Sequence, residues 1–164
     1  MKTIKVHYRF ETPQNYTGIV EYPSKTKHWF LNGKLHRETG PCTECKDCLG
    51  GNFELCSKPG PAVILPDGTK EWFLNGKLHR ETGPCTECKD CFEGNFELCS
   101  KPGPAVICPN GTKEWHLNGK FHRENGPAVI CPDGTKHWYL NGKEVDKQTV
   151  ELFYMLKYKR ETSL

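Results

Sequence analysis

From Thr17 onward, short apolar runs alternate with turn residues on a fixed beat. The stretch Gly60-Pro-Ala-Val-Ile-Leu-Pro-Asp-Gly-Thr-Lys-Glu-Trp-Phe-Leu-Asn-Gly-Lys-Leu-His-Arg-Glu-Thr82 returns, slightly changed, at 103–125 and again from Gly126 to Lys143. A shorter first copy runs from about Thr17 to Thr39, giving four units with one tryptophan each: Trp29, Trp72, Trp115 and Trp138. Inside a unit, Pro-Asp-Gly (Pro-Asn-Gly in the third) precedes a segment ending in Trp-Phe-Leu or a close variant, and Asn-Gly follows directly. Asn-Gly between two short runs supplies the positive φ angles of a type I′ turn. Asn32-Gly33, Asn75-Gly76, Asn118-Gly119 and Asn141-Gly142 are therefore predicted hairpin tips. In the second unit the ascending strand is Lys70 to Leu74; the returning strand is Lys77 to Arg80, bending at Gly-Pro and continuing as Ala-Val-Ile. That makes two antiparallel strands per unit and leaves no room for an internal helix. Alternation sets Trp72 and Leu74 on one face and Glu71 with Phe73 on the other, so Trp, Leu and Val ladders form as units stack.

The beat is 23 residues from Gly103 to Gly126 but 43 from Gly60 to Gly103, because a 20-residue cassette separates units two and three. An equal cassette, 40–59, separates units one and two; the second spans 83–102. Unit and cassette are nearly identical between the two copies, as after duplication of a 43-residue block. Self-similarity of this kind predicts stacked units instead of one compact globule. With 35% hydrophobic residues, 16 Gly and 12 Pro in 164 residues, the core is thin and something else must help hold the chain.

The cassettes carry the sharpest chemistry. Eight of ten cysteines repeat one pattern, C-x2-C-x2-C-x7-C: Cys42, Cys45, Cys48 and Cys56, then Cys85, Cys88, Cys91 and Cys99. Four soft thiolates within fifteen residues can close a tetrahedral shell around Zn2+, so two zinc sites are expected. Disulfides are the alternative, and so is an iron–sulfur cluster, whose bacterial ferredoxin run also opens C-x2-C-x2-C; the fourth cysteine, not followed by Pro, departs from that run. Neither end offers a targeting segment and no run is long enough to span a bilayer, so a soluble, cytosolic protein with reduced thiols is expected, which favours metal. The cassettes are too polar and glycine-rich to fold by apolar burial, so ligation would supply their folding free energy, on the order of 10 kcal/mol per structural zinc. With every ligand a cysteine no open position remains, which predicts structural zinc, not catalytic zinc.

The aromatic-x-x-Asn-Gly-Lys-x-His core on a 23-residue period resembles the MORN repeat. More closely, Trp-Phe-Leu-Asn-Gly-Lys-Leu-His-Arg-Glu-x-Gly-Pro-Ala is similar to the variant common in bacterial, phage and large-virus proteins. The resemblance covers roughly 17–145 and implies an elongated, twisted sheet of successive hairpins. Two departures, Thr-Lys-Glu or Thr-Lys-His in place of the Tyr-x-Gly opening and the inserted cassettes, weigh against carrying over phospholipid binding. The expected fold is thus all-β: an elongated antiparallel repeat sheet of MORN-like β-hairpins (17–145) with two zinc-binding loop insertions and a short C-terminal helix. Residues 1–16, with Val6, Tyr8 and Phe10 alternating, read as one or two capping strands. Residues 146–164 read as a capping helix and tail with Asp146 as N-cap, basic residues in the last turn, and Val150, Phe153 and Leu156 or Lys157 sharing a side.

The formal charge of +3 hints at an acidic partner until metal is counted: eight thiolates and two Zn2+ bring it to about −1. The loaded cassettes sit near −3 and −4, the wrong sign for phosphate. Their acidic and aromatic residues Glu44, Asp47 and Phe53, and Glu87, Asp90, Phe92 and Phe96, are the candidate partner-binding set. His-Arg-Glu recurs as His36-Arg37-Glu38, His79-Arg80-Glu81 and His122-Arg123-Glu124; a triplet on a repeating edge reads as cross-strand lattice chemistry, and no nucleophile elbow, phosphate loop or carboxylate pair points to an enzyme. Cys108 and Cys131 stand where Leu65 and Tyr22 stand elsewhere, as small apolar strand residues near each other. His28 and His137 replace Glu71 and Glu114, a solvent-facing position; His116 replaces Phe30, Phe73 and Tyr139 on a partly buried face. The sequence therefore reads as a non-enzymatic zinc-binding repeat protein that meets a protein partner and no membrane, with a viral or phage protein acting on a host or defence protein as the analogy the repeat variant supplies. The alternative is a nucleic-acid binder using Lys and Arg rows such as Lys77, Arg80, Lys120 and Arg123, with the cassettes as scaffold.

Overall fold

The computed structural model describes residues 2–37, 60–81 and 102–161. In chain order the strands are β1 (Thr3–Lys5), β2 (Gly18–Glu21), β3 (Lys27–Leu31) and β4 (Lys34–Leu35); β5 (Val63–Ile64), β6 (Lys70–Glu71), β7 (Phe73–Leu74) and β8 (Lys77–Leu78); β9 (Val106–Ile107), β10 (Lys113–Glu114), β11 (His116–Leu117) and β12 (Lys120–Phe121); then β13 (Val129–Ile130), β14 (Lys136–Leu140) and β15 (Lys143–Val145). One helix, α1 (Lys147–Glu161), follows. The main sheet runs β1-β2-β3-β5-β6-β9-β10-β13-β14-β15, with β4 paired to β3, while β7-β8 and β11-β12 form separate hairpins. All of its pairings are antiparallel except β1 with β2.

Each unit carries two hairpins that share one ascending segment, and the change of partner falls at the tryptophan. In unit two Glu71 pairs with Val63 and Val106 in the main sheet, whereas Phe73, two residues on, pairs with Leu78. The Trp29, Trp72 and Trp115 amides donate to the carbonyls of Ala62, Ala105 and Ala128 in the following unit, each at 2.8 Å. The expected pair of long strands per unit is broken at Trp72 and Trp115, where the two-residue ladders of β6 and β10 end, but runs on through Trp29 in β3, which β2 pairs along its length, and through Trp138 in β14, which β15 pairs.

Both turns follow from residue chemistry. At the Asn-Gly tips every asparagine has φ between 49° and 53° and every glycine between 74° and 85°, the type I′ signature. The other tip is a three-residue loop: the Gly68 amide donates to Leu65 O and the Leu65 amide to Thr69 O, both at 3.0 Å, with Gly68 at φ 91°. Asp67 holds that loop by accepting the Thr69 amide at 2.8 Å, and Asn110 and Asp133 do the same for Thr112 and Thr135.

The core is a set of rows, not a centre. Ala62, Ala105 and Ala128 are 0% exposed, Trp72 and Trp115 1%, and Val20, Val63 and Val106 line the sheet beside them. Register places Val63, Glu71, Val106 and Glu114 on one face, and Ile64, Lys70, Ile107 and Lys113 on the other.

The two ends differ from the sequence expectation in detail. Strand β1 stops at Lys5; Val6 enters the core with Val20 and Phe30, but Arg9–Glu11 is a single 3-10 turn and Tyr8 is 62% exposed, so the alternation does not continue as strand. Glu11 draws the chain into that turn by accepting the His7 amide at 2.7 Å. At the other end Asp146 caps α1 by accepting the Thr149 amide at 2.7 Å. Val150, 2% exposed, anchors the inner side of α1, and Tyr154 and Lys157 line the space between the helix and the repeats. Lys157 Nζ bonds Glu124 Oε2 at 2.6 Å, which fixes the rotation of the helix. Among the described residues no helix is long and apolar enough to cross a membrane.

Candidate functional site

The His-Arg-Glu triplets end the returning strands, where the chain leaves one unit for the next. Each arginine is buried: Arg37, Arg80 and Arg123 are 8%, 4% and 1% exposed. Their guanidinium carbons lie 4.2, 3.9 and 3.9 Å from the ring centres of Trp29, Trp72 and Trp115, a desolvated cation–π stack. Each guanidinium then donates through Nη1 to a proline carbonyl at the start of the next unit: Pro61 at 3.0 Å, Pro104 at 3.1 Å and Pro127 at 3.2 Å.

The histidines complete the junction. Nδ1 of His36, His79 and His122 accepts the backbone N–H of Asn75, Asn118 and Asn141, at 3.1, 3.1 and 3.0 Å, so each imidazole clasps the next hairpin tip. An accepting Nδ1 puts the proton of the neutral ring on Nε2, which in His79 stands 3.1 Å from Glu81 and in His122 3.6 Å from Glu124. The second and third triplets are thus junctions of three parts, a stacked cation, an accepting imidazole and a carboxylate beside it, and the first shares the cation and the imidazole.

Arginine and proline carbonyl are 24 residues apart at the first two junctions and 4 at the third; histidine and asparagine are 39, 39 and 19 apart. The contacts nevertheless match to within 0.2 Å. Both cassettes are therefore inserted where the chain crosses between units, and leave from the same edge one unit apart. Two strands at about 4.8 Å each place their roots roughly 10 Å from one another.

The eight cysteines Cys42, Cys45, Cys48, Cys56, Cys85, Cys88, Cys91 and Cys99 lie outside the described residues, as do Glu44, Asp47, Phe53, Glu87, Asp90, Phe92 and Phe96. Among the described residues no cluster of three or more His, Cys, Asp or Glu could hold a metal ion. Cys108 and Cys131 are reduced and half-buried at the corner before each Gly111 and Gly134 turn; burial, then the Glu114 charge, pushes the Cys108 thiol above its ordinary range.

Three readings change. His28 is not solvent-facing: its ring is half-buried 4.9 Å from that of Tyr22, and burial, then the Arg9 charge, lowers its affinity for a proton. His116 is fully inside, 7% exposed, stacked 4.4 Å from Phe121 with Nε2 3.0 Å from Glu114. Arg80 and Arg123, buried under tryptophans, do not join Lys77 and Lys120 in one exposed basic row. Beyond the third junction Tyr154 and Lys157 of α1 line, with Arg80, Glu81, Pro102 and Trp115, an open cleft of about 360 Å3. Compared with protein-family models, with curated proteins and with solved structures, the chain matches none significantly.

Proposed function

We propose that this chain is a non-enzymatic, zinc-binding repeat protein whose hairpin lattice holds two metal-stiffened cassettes side by side for recognition by a protein partner. The observation that carries this reading is the constancy of the junctions. Equivalent bonds form whether 4 or 24 residues intervene, so the lattice acts as a frame on which an inserted loop is presented. Each quartet supplies four thiolates to one Zn2+, and the acidic and aromatic residues Glu44, Asp47, Phe53, Glu87, Asp90, Phe92 and Phe96 form the contact surface.

The His-Arg-Glu triplets support the non-enzymatic side, since imidazole Nδ1 and guanidinium are already spent on inter-unit bonds. Analogy with the repeat variant is what supports a viral or phage origin and a partner among host or defence proteins. Native mass spectrometry of reduced protein, with and without a chelator, should count two zinc ions per chain, and a metal-free spectrum of fresh protein would sink the proposal. A pull-down with Cys85→Ser/Cys88→Ser should lose the partner that wild type retains.

The nucleic-acid reading keeps one surface of its own, the row Lys27, Lys70, Lys113 and Lys136 alternating with Ile64, Ile107 and Ile130 on one face. Strongly salt-dependent binding of mixed oligonucleotides would favour it.

A further inference from the structure

Helix α1 is seated on the repeats by Val150, Tyr154 and Lys157, yet apolar residues continue around it from Leu152 to Leu156. Leu152 is 57% exposed, Met155 55%, Leu156 55% and Tyr158 59%. This central run covers more of the helix circumference than the seated side buries, while charged and polar residues flank it at both ends. At roughly 100 Å2 for each half-exposed large side chain, the five outside the seated side, Leu152, Phe153, Met155, Leu156 and Tyr158, present on the order of 500 Å2 of apolar surface. That lies in the upper part of the range for a monomer's largest patch and would supply a little over half of the roughly 800 Å2 each partner contributes to a standard interface.

We infer that a second copy of this chain covers α1: two α1 helices pack antiparallel across Leu152 and Met155, about a twofold axis passing near Met155. Two arguments select this occupant. The first is geometry: Leu152 and Met155 lie opposite the seated side, and with Gln148 and Lys159 they repeat at four, three and four residues, the spacing of a helix–helix seam. The second is charge. Glu151 lies toward the start of the helix and Lys159 and Arg160 toward its end. An antiparallel pair centred on Met155 brings Glu151, four residues before it, against the partner's Lys159, four residues after, and does so twice. A parallel pair would align like charges, and a helix lying on an anionic lipid surface would gain nothing from Glu151. The interface is independent of metal in the cassettes.

Sedimentation of the full-length reduced chain tests this. A two-chain species should grow with concentration through the micromolar range, and Leu152→Glu/Met155→Glu should abolish it, raising Kd by at least about 100-fold while leaving the thermal melt in place, since both side chains are more than half exposed. Glu151→Lys and Lys159→Glu should each weaken the dimer by about three- to tenfold, and the double exchange should restore it to within about twofold. A chain still monomeric at hundreds of micromolar overturns the inference, as does a dimer that survives the double glutamate variant. Absence of rescue by the charge exchange overturns the antiparallel pairing. Flotation of a monomeric wild type with phosphatidylserine vesicles, lost in the double glutamate variant, would assign the helix to lipid instead.

Discussion

The link after unit three runs directly from Glu124 to Pro127, while the links after units one and two carry twenty further residues, yet all three close on the same arginine–tryptophan stack and the same histidine clasp. Loop-closure theory explains how. Stretching a flexible link from 4 to 24 residues costs only about 1.6 kcal/mol, because the penalty grows with the logarithm of length. One buried tryptophan outweighs that. The lattice therefore sets the geometry and the inserts ride on it, so an insert is free to acquire chemistry of its own.

The strongest way to break this comparison is to remove the same side chain on either side of it. Trp72 precedes a long link and Trp115 the short one, and both are 1% exposed beneath an arginine. Trp72→Ala and Trp115→Ala should each cost about 3–5 kcal/mol in urea unfolding and agree with each other within about 1 kcal/mol. A markedly milder Trp72→Ala would show that the cassette, not the lattice, holds that junction.

Deleting residues 40–59 is the second test. It joins Thr39 to Gly60, so that Arg37 and Pro61 acquire the spacing of Arg123 and Pro127. Against chelator-treated wild type, the deletion should stabilise the lattice by about 1.6 kcal/mol, the closure entropy returned. Tryptophan fluorescence during urea unfolding reads this, and a loss of stability would mean that the cassette packs on the units.

Much of this lattice was legible in the sequence, and the limits have physical reasons. The Asn-Gly tips and the Asp146 cap follow from local chemistry, the positive φ that asparagine and glycine tolerate and the orphan amides of a first helical turn, and the structure places both as read. The arginine stack was not legible: a basic residue in a repeated triplet resembles a surface charge until the partner unit brings proline's carbonyl to it from 24 residues away. The strand break at tryptophan was hidden likewise, because period-two alternation says nothing about which neighbour each half of a strand pairs with. His28 looked exposed because glutamate fills its place in other units, but Glu71 is itself half-buried. The cysteine quartets were the plainest chemical signal, and they lie outside the described residues.

That glutamate offers the third test, which contrasts the middle units with the ends. Glu71 and Glu114 share a face two strands apart, whereas the outer units carry His28 and His137 there. Burial first, then the charges of Glu114 and Asp67, raises the Glu71 pKa above its ordinary value. The folded state thus holds a proton that the unfolded chain has released, so stability falls as pH rises through that window. Glu71→Gln removes the dependence: it should melt above wild type at about pH 7 and together with it at about pH 4, a smaller gain than the cassette deletion. A variant no more stable at neutral pH would mean that the carboxylate is satisfied there.

The smallest effect separates the first unit from the other three at the second hairpin turn. Gly68, Gly111 and Gly134 occupy the left-handed position of that loop at φ 91°, 95° and 86°, but the first unit places Lys25 there at φ 67°. The hydrogen bonds are alike, with the Lys25 amide donating to Tyr22 O at 2.8 Å and the Gly68 amide to Leu65 O at 3.0 Å, so the turn is the same and only the residue is strained. A side chain in that region costs about 1–2 kcal/mol, and glycine returns about 0.4–1 kcal/mol of that through the greater freedom of the unfolded chain. Lys25→Gly should accordingly stabilise by about 0.5 kcal/mol, a rise of one or two degrees in Tm. A loss instead would show that the lysine side chain contributes more to the N-terminal end of the stack than its backbone strain takes away.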